Sequence, residues 1–200
     1  AVLERVHVVG SSQASFPPGL VDGILDWQEN NAKDVELWWD SDTQTPFFIK
    51  GADLTLASTG QTVKRGLSTS ANTALGTLEQ IAGLMGLRAP SDELRIVSEQ
   101  TDALGMTHVR FQQSYGDHDV WARNFAVHFD AAGGISSIGG RWMPTPAILD
   151  NQQIKLTEQD ALAIVHATYQ ARENCQTDSI WINVYVDSSQ TPHWAWVVRV

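Results

Sequence analysis

The chain of 200 residues is 42% hydrophobic, with 8 Trp and 15 Gly, which is enough for one large domain or two small ones, each with a buried core, and argues against a disordered polymer. Lys+Arg of 13 against Asp+Glu of 23 leaves a formal charge of -10, which repels phosphate backbones and anionic lipid and argues against nucleic acid or a membrane surface as partner. No apolar run reaches the roughly 18 to 20 residues that a bilayer requires, so a soluble protein is expected.

The chain opens on Ala1 and Val2, not Met, which fits a leader removed on export. Val6, Val8 and Val9 read as a short strand before the punctuation of Pro17, Pro18 and Gly19. DVELWW at 34–39, PFFIKG at 46–51 and ADLTLAS at 52–58, with polar turns between, predict two or three antiparallel strands. The Ser/Thr/Gly-rich stretch 58–72 reads as an exposed connector. Leu75, Leu78, Ile81, Ala82 and Met85 then recur at spacings of three and four and predict a helix over 73–86, with Gly86 and Pro90 as stop signals.

From Leu94 to Trp142 the pattern changes to alternation. Val109 and Phe111 alternate with His108, Arg110 and Gln112; after the turn YGDHD, Trp121, Phe125, Val127 and Phe129 stand against Asn124 and His128. A second turn, DAAGG, leads into ISSIGGRW. This predicts a three-stranded meander whose apolar face, Val109, Phe111, Trp121, Phe125 and Phe129, lies under the helix bearing Leu78, Ile81 and Met85. After the Pro-rich MPTPAILDNQQ, Thr157 as N-cap with Asp160 as a capping-box variant starts a second helix, with Ala161, Leu162, Ile164, Val165 and Tyr169 as its buried stripe. Strands over 179–186 and 193–200 follow. The fold class expected is α+β.

The segment LGMTHVRFQQSYGDHDVWARNFAVHFDAAGGISSIGG resembles the FTP module, the fungalysin and thermolysin propeptide motif, through Asp102, Leu104, Gly105, His108, Val109, Arg110, Phe111, Gln113, Val120, Trp121, His128 and Ile135. VELWWDSDTQTPFFIKGADL resembles the entry strands of the same pro-regions, and KLTEQDALAIVHATYQ with the two strands after it resembles a PepSY module. The chain departs from the pattern at the first hairpin, where Asp117, His118 and Asp119 replace a Gly-x-Pro turn, and the PepSY-like part stops at Val200 before its usual closing strand.

The resemblance implies two successive modules with cystatin-like layers, antiparallel sheets each packed against a helix. They divide as 1–146, with an FTP core at about 73–142, and 147–200. It implies the propeptide of a secreted, bacterial, thermolysin-like zinc metalloendopeptidase, an intramolecular chaperone and autoinhibitor whose partner is the cognate catalytic domain. The alternative is a free-standing protein that inhibits a peptidase in trans.

Catalytic chemistry is not expected in this chain. None of His7, His108, His118, His128, His166 or His193 begins the H-E-x-x-H string of a zinc peptidase, and no G-x-S-x-G elbow is present. Cofactors are therefore expected to be absent here, with zinc and calcium belonging to the parent protease domain. His108 with His128, or the triplet Asp117-His118-Asp119, offers metal-ligand types, but surface or structural histidine is the plainer reading. Asp40 and Asp42 read as a solvated loop in preference to a calcium site. The pair Trp38-Trp39, and Trp194 with Trp196 on one strand face, read as core or interface in preference to a carbohydrate platform. Cys175 lacks a cysteine partner and reads as an incidental thiol. The candidate partner-contact face is the polar side of the meander, His108, Arg110, Gln112, Asn124 and His128.

Overall fold

The structure is a computed structural model describing residues 6–9, 35–55, 64–169 and 177–200. The described residues fall into two units, one drawn from 1–116 and 122–145 and the other from 117–121 and 146–200. Both mix helix and antiparallel strand, so the α+β class holds.

The strands of the first unit are β1 (Val6–Val9), β2 (Val35–Asp40), β3 (Thr45–Gly51), β4 (Leu94–Thr101), β5 (Thr107–Tyr115), β6 (His118–Phe129), whose residues before Ala122 belong to the second unit, and β7 (Ile135–Gly140). They are ordered β1-β2-β3-β7-β6-β5-β4. β1 joins β2 in parallel, while β2–β3, β3–β7, β7–β6 and β5–β4 are antiparallel. β4 is a fourth strand of the expected meander. Its sequence LRIVSEQT has little alternation to announce it, because a bulge between Ile96 and Ser98 breaks its register and leaves Val97 exposed. Of the segment ADLTLAS, Asp53–Thr55 is not strand, although Leu54 donates its N–H to the Ile135 carbonyl; the remainder lies outside the described residues, as does Cys175.

The helix α1 (Thr69–Gln80) starts four residues before the expected position, inside what reads as connector. Ser68 is its N-cap, and its Oγ accepts the Ala71 N–H at 3.0 Å. A short α2 (Ala82–Met85) continues the stripe and closes on Gly86 at φ 70, with Leu87 N–H donating to the Ala82 carbonyl. Pro90 does not simply terminate the helix; it opens a further turn, α3 (Pro90–Glu93). Ala71, Ala74, Leu75, Leu78, Ile81 and Met85 are buried with Val109, Phe111, Phe125, Val127, Phe129 and Ile138 of the sheet, which is the helix-on-sheet core that the spacing requires.

Glu93 is buried at the end of this layer. Its carboxylate accepts the backbone N–H groups of Arg88 and Ala89 and the Thr145 hydroxyl, at 2.9, 2.8 and 2.7 Å. Glu93→Ala is expected to destabilise the protein by about 2 kcal/mol, because the Ala89 N–H and the Thr145 hydroxyl lose their acceptor, while the Arg88 N–H keeps Thr145 Oγ1 at 2.9 Å. A urea midpoint lowered without a change in slope would show it, and an unchanged midpoint would refute it.

One core assignment fails. Trp121 is 49% exposed, and Val120 is the fully buried residue at the start of β6. Ala122 sits at φ 56, in the left-handed region, and this shifts the inward phase of the strand from 120 to 125, 127 and 129.

The second unit holds a 3-10 turn (Ala147–Asn151), α4 (Glu158–Tyr169), β8 (Ser179–Val186) and β9 (Pro192–Arg199). β8 and β9 form a continuous antiparallel hairpin, and Val120 stands in register with Val184. Asp187 organises the hairpin turn: its Oδ1 accepts from the N–H of Ser189 and of Thr191, and its Oδ2 lies 2.9 Å from His193 Nε2. The Ser189 hydroxyl and His193 hold its carboxyl well below the usual range. The capping box at Thr157 forms as the sequence predicts, with reciprocal bonds between Thr157 and Asp160. The stripe on α4 is only partly buried. Ala161 is buried, but Ile164 is 54% exposed and borders an open groove of about 650 Å³ with Leu156 and Trp196, because the hairpin covers only one side of the helix. The Tyr169 side chain lies outside the described residues.

Candidate functional site

The outer face of the first unit's sheet, opposite α1, gathers most of the chemically informative side chains. On β5, Val109, Phe111 and Gln113 point into the core, which leaves His108, Arg110 and Gln112 on the other side. On β6 past Ala122, Phe125, Val127 and Phe129 are inward; Asn124 is exposed and His128 half-buried.

His108 and His128 are brought together, Nδ1 to Nδ1 at 2.7 Å, with rings 69° apart. His108 Nε2 lies 3.3 Å from Asp102 Oδ2. Asp102 also builds the β4–β5 turn: its Oδ1 accepts the N–H groups of Leu104 and Met106, and Gly105 takes φ 79. The Met106 N–H, with Leu104 N–H and His108, holds the Asp102 carboxyl below the ordinary range. Burial first, then His108 and Arg110, holds the His128 imidazole below its own. Gln112 is turned toward the backbone and donates to the carbonyls of Gln113 and Arg123 at 2.9 and 3.1 Å. Arg110 and Asn124 are exposed.

Of the Trp38-Trp39 pair, Trp39 is buried in the core and Trp38 belongs to an aromatic part of this face. His7 stacks on Trp38 with ring centroids 4.7 Å apart, and Trp38 meets Phe48 edge-on at 5.1 Å. Phe48 lies over Gly139, where a Cβ would come within 2.5 Å of its ring. The signal was available in the alternation of β2: Leu37 and Trp39 are buried, so Trp38 must face outward. Glu36 and Asp40 share the outward phase of Trp38 on β2.

The other candidates resolve as local structure. Asp40 Oδ1 accepts the N–H of Asp42 at 2.8 Å, an Asx turn. His118 Nδ1 lies 3.0 Å from the Ile182 carbonyl, with its ring edge-on to Trp194. Trp196 donates its indole N–H to the Leu156 carbonyl. Among the described residues no group of three or more His, Cys, Asp or Glu could hold a metal, and no helix is long and apolar enough to cross a membrane.

Residues 92–141 match the family described as Fungalysin/Thermolysin Propeptide Motif. The chain is similar to thermolysins of Alicyclobacillus acidocaldarius subsp. acidocaldarius, Bacillus caldolyticus and Bacillus sp. (strain EA1), each 28% identical over 193 residues, 91% of this chain and 33% of the relative. It thus spans about a third of the length of the curated relatives it matches. Among solved structures it is similar to the Bacillus megaterium YpeB C-terminal domain, with a TM-score of 0.40 and 7% identity over 94% of this chain and 88% of that one.

Proposed function

We propose that this chain is the pro-region of a secreted, bacterial, thermolysin-like zinc metalloendopeptidase, assisting the folding of the catalytic domain and holding it inactive. The observation that carries the reading is the alignment of 91% of the chain with a third of each thermolysin, in a chain whose histidines form no H-E-x-x-H. Zinc and calcium belong to the catalytic domain in this reading. The first unit is then an FTP module in cystatin-like layers and the second a PepSY-type module.

A protease held by a high folding barrier gains from a partner that binds the late transition state, and the same surface bound to the finished enzyme blocks it. The contact face is the outer sheet face, with His108, Arg110, Gln112, Asn124 and His128 flanked by Trp38 and Phe48. Exposed Arg110 is the residue most free to reach a partner carboxylate.

Arg110→Ala is expected to weaken inhibition of the separately folded catalytic domain about tenfold, with thermal melting of the chain unchanged. Inhibition retained in full would remove this face from the interface; lost folding would make Arg110 structural. A parent reading frame without a zinc-peptidase domain, together with inhibition in trans, would favour the free-standing inhibitor instead.

A further inference from the structure

The contact between His108 and His128 constrains its own protonation. Two ring nitrogens 2.7 Å apart need one N–H and one lone pair between them, since two lone pairs or two N–H groups repel. A bridging cation fits less well. Imidazole nitrogens each about 2.0–2.1 Å from a tetrahedral zinc stand roughly 3.4 Å apart.

A first added proton can be accommodated. Doubly protonated His108 donates Nε2–H to Asp102 and Nδ1–H to the Nδ1 lone pair of His128, whose own proton then sits on Nε2. A second proton has nowhere to go except His128 Nδ1, the acceptor itself, and its arrival breaks the bond.

The charged neighbours add to this. Arg110 stands beside the pair on β5. Gln100 opposite His108 and Ser137 opposite His128 are neutral, and Lys50 pairs with Ser137 one strand further. Arg110 opposes a second proton, Lys50 two strands from His128 stands opposite Glu36, and the one carboxylate at the pair, Asp102, is engaged by His108.

We infer that the His108–His128 pair is an acid-sensitive latch on the docking face: with at most one proton between the two Nδ1 atoms the imidazoles stay locked together across the already paired strands β5 and β6 and keep the face in binding form, and with a second they part and lower affinity for the catalytic domain. The release step rests on the proposed function; the titration does not. Because the folded state disfavours the doubly charged pair, its contribution is full above the ordinary imidazole pKa of about 6.5 and is lost as pH falls below it.

The test uses the whole chain. Nitrogen-resolved NMR of the imidazoles from about pH 8 to 4 is expected to show the pair titrating in two steps, the second displaced below the ordinary range. Affinity for the catalytic domain, read by surface plasmon resonance, is expected to fall toward tenfold per pH unit in the same window. In His128→Gln, which cannot take up the second proton, the slope should flatten to less than about threefold per unit; His108→Gln is the second variant should the first fail to fold. Ordinary titration of both imidazoles, or a slope that persists in the variants, overturns the latch. Displaced titration with no binding at any pH overturns the docking reading and leaves the acid-sensitive pair standing.

Discussion

Gly140→Ala is expected to prevent the first unit from folding stably. Gly140 sits at φ 142, a conformation that side chains rarely adopt, and a Cβ there would meet Phe125 Cα at 2.5 Å and the Asn124 carbonyl oxygen at 2.6 Å. Both are backbone atoms of β6 in the middle of the sheet, so no rotamer change relieves the clash. Backbone strain and overpacking together cost about 4 kcal/mol or more, a large fraction of the 5–15 kcal/mol that holds a domain together. Gly133→Ala is the control: φ is 88, but nothing lies within 4 Å of the new Cβ, so only strain of about 1–2 kcal/mol applies. Thermal melting of the two variants side by side would show it, and equal melting would refute the steric account.

Gln113→Leu should be the next most damaging change. Gln113 is fully buried, and its amide forms a two-point clamp: Oε1 accepts the Met143 N–H at 3.0 Å and Nε2 donates to the Met143 carbonyl at 2.9 Å. Leucine fills a similar volume but leaves both backbone groups buried and unpaired, which costs about 3 kcal/mol. A fall in urea midpoint with unchanged slope, and faster amide exchange around Met143, would show the clamp's weight; a loss under about 1 kcal/mol would mean that water or a shifted backbone replaces it. By contrast, neighbouring Gln112 is half-buried and faces outward, so its replacement is expected to cost less in stability.

The two glutamines show how far the sequence reaches. The propeptide-like string contains both turn and core determinants: Asp102 and Gly105 shape the β4–β5 turn, Val109 and Phe111 fill the core, and Gln113 clamps the return of the chain. Much of what makes the motif recognisable is therefore architecture. Of the five polar residues picked as a contact face, the structure pairs His108 with His128 and ties the outward-facing Gln112 to backbone carbonyls, while Arg110 and Asn124 remain exposed. The aromatic flank at Trp38 and Phe48 joins the same face only because β3 pairs with β7, a contact between residues 48 and 139 that no local pattern announces.

By itself, the sequence determined the elements whose signals are local. Spacings of three and four gave α1 its buried stripe, Thr157 and Asp160 gave α4 its start, and alternation placed Val109 and Phe111 inward, since each follows from the geometry of a single segment. Only the tertiary structure decided that β4 joins the meander, that Ala122 shifts the phase of β6 so that Val120 and not Trp121 is buried, and that two imidazoles twenty residues apart meet Nδ1 to Nδ1. Those outcomes depend on strand pairing and on a single left-handed residue, and a one-residue change of register reverses which side chains face the core.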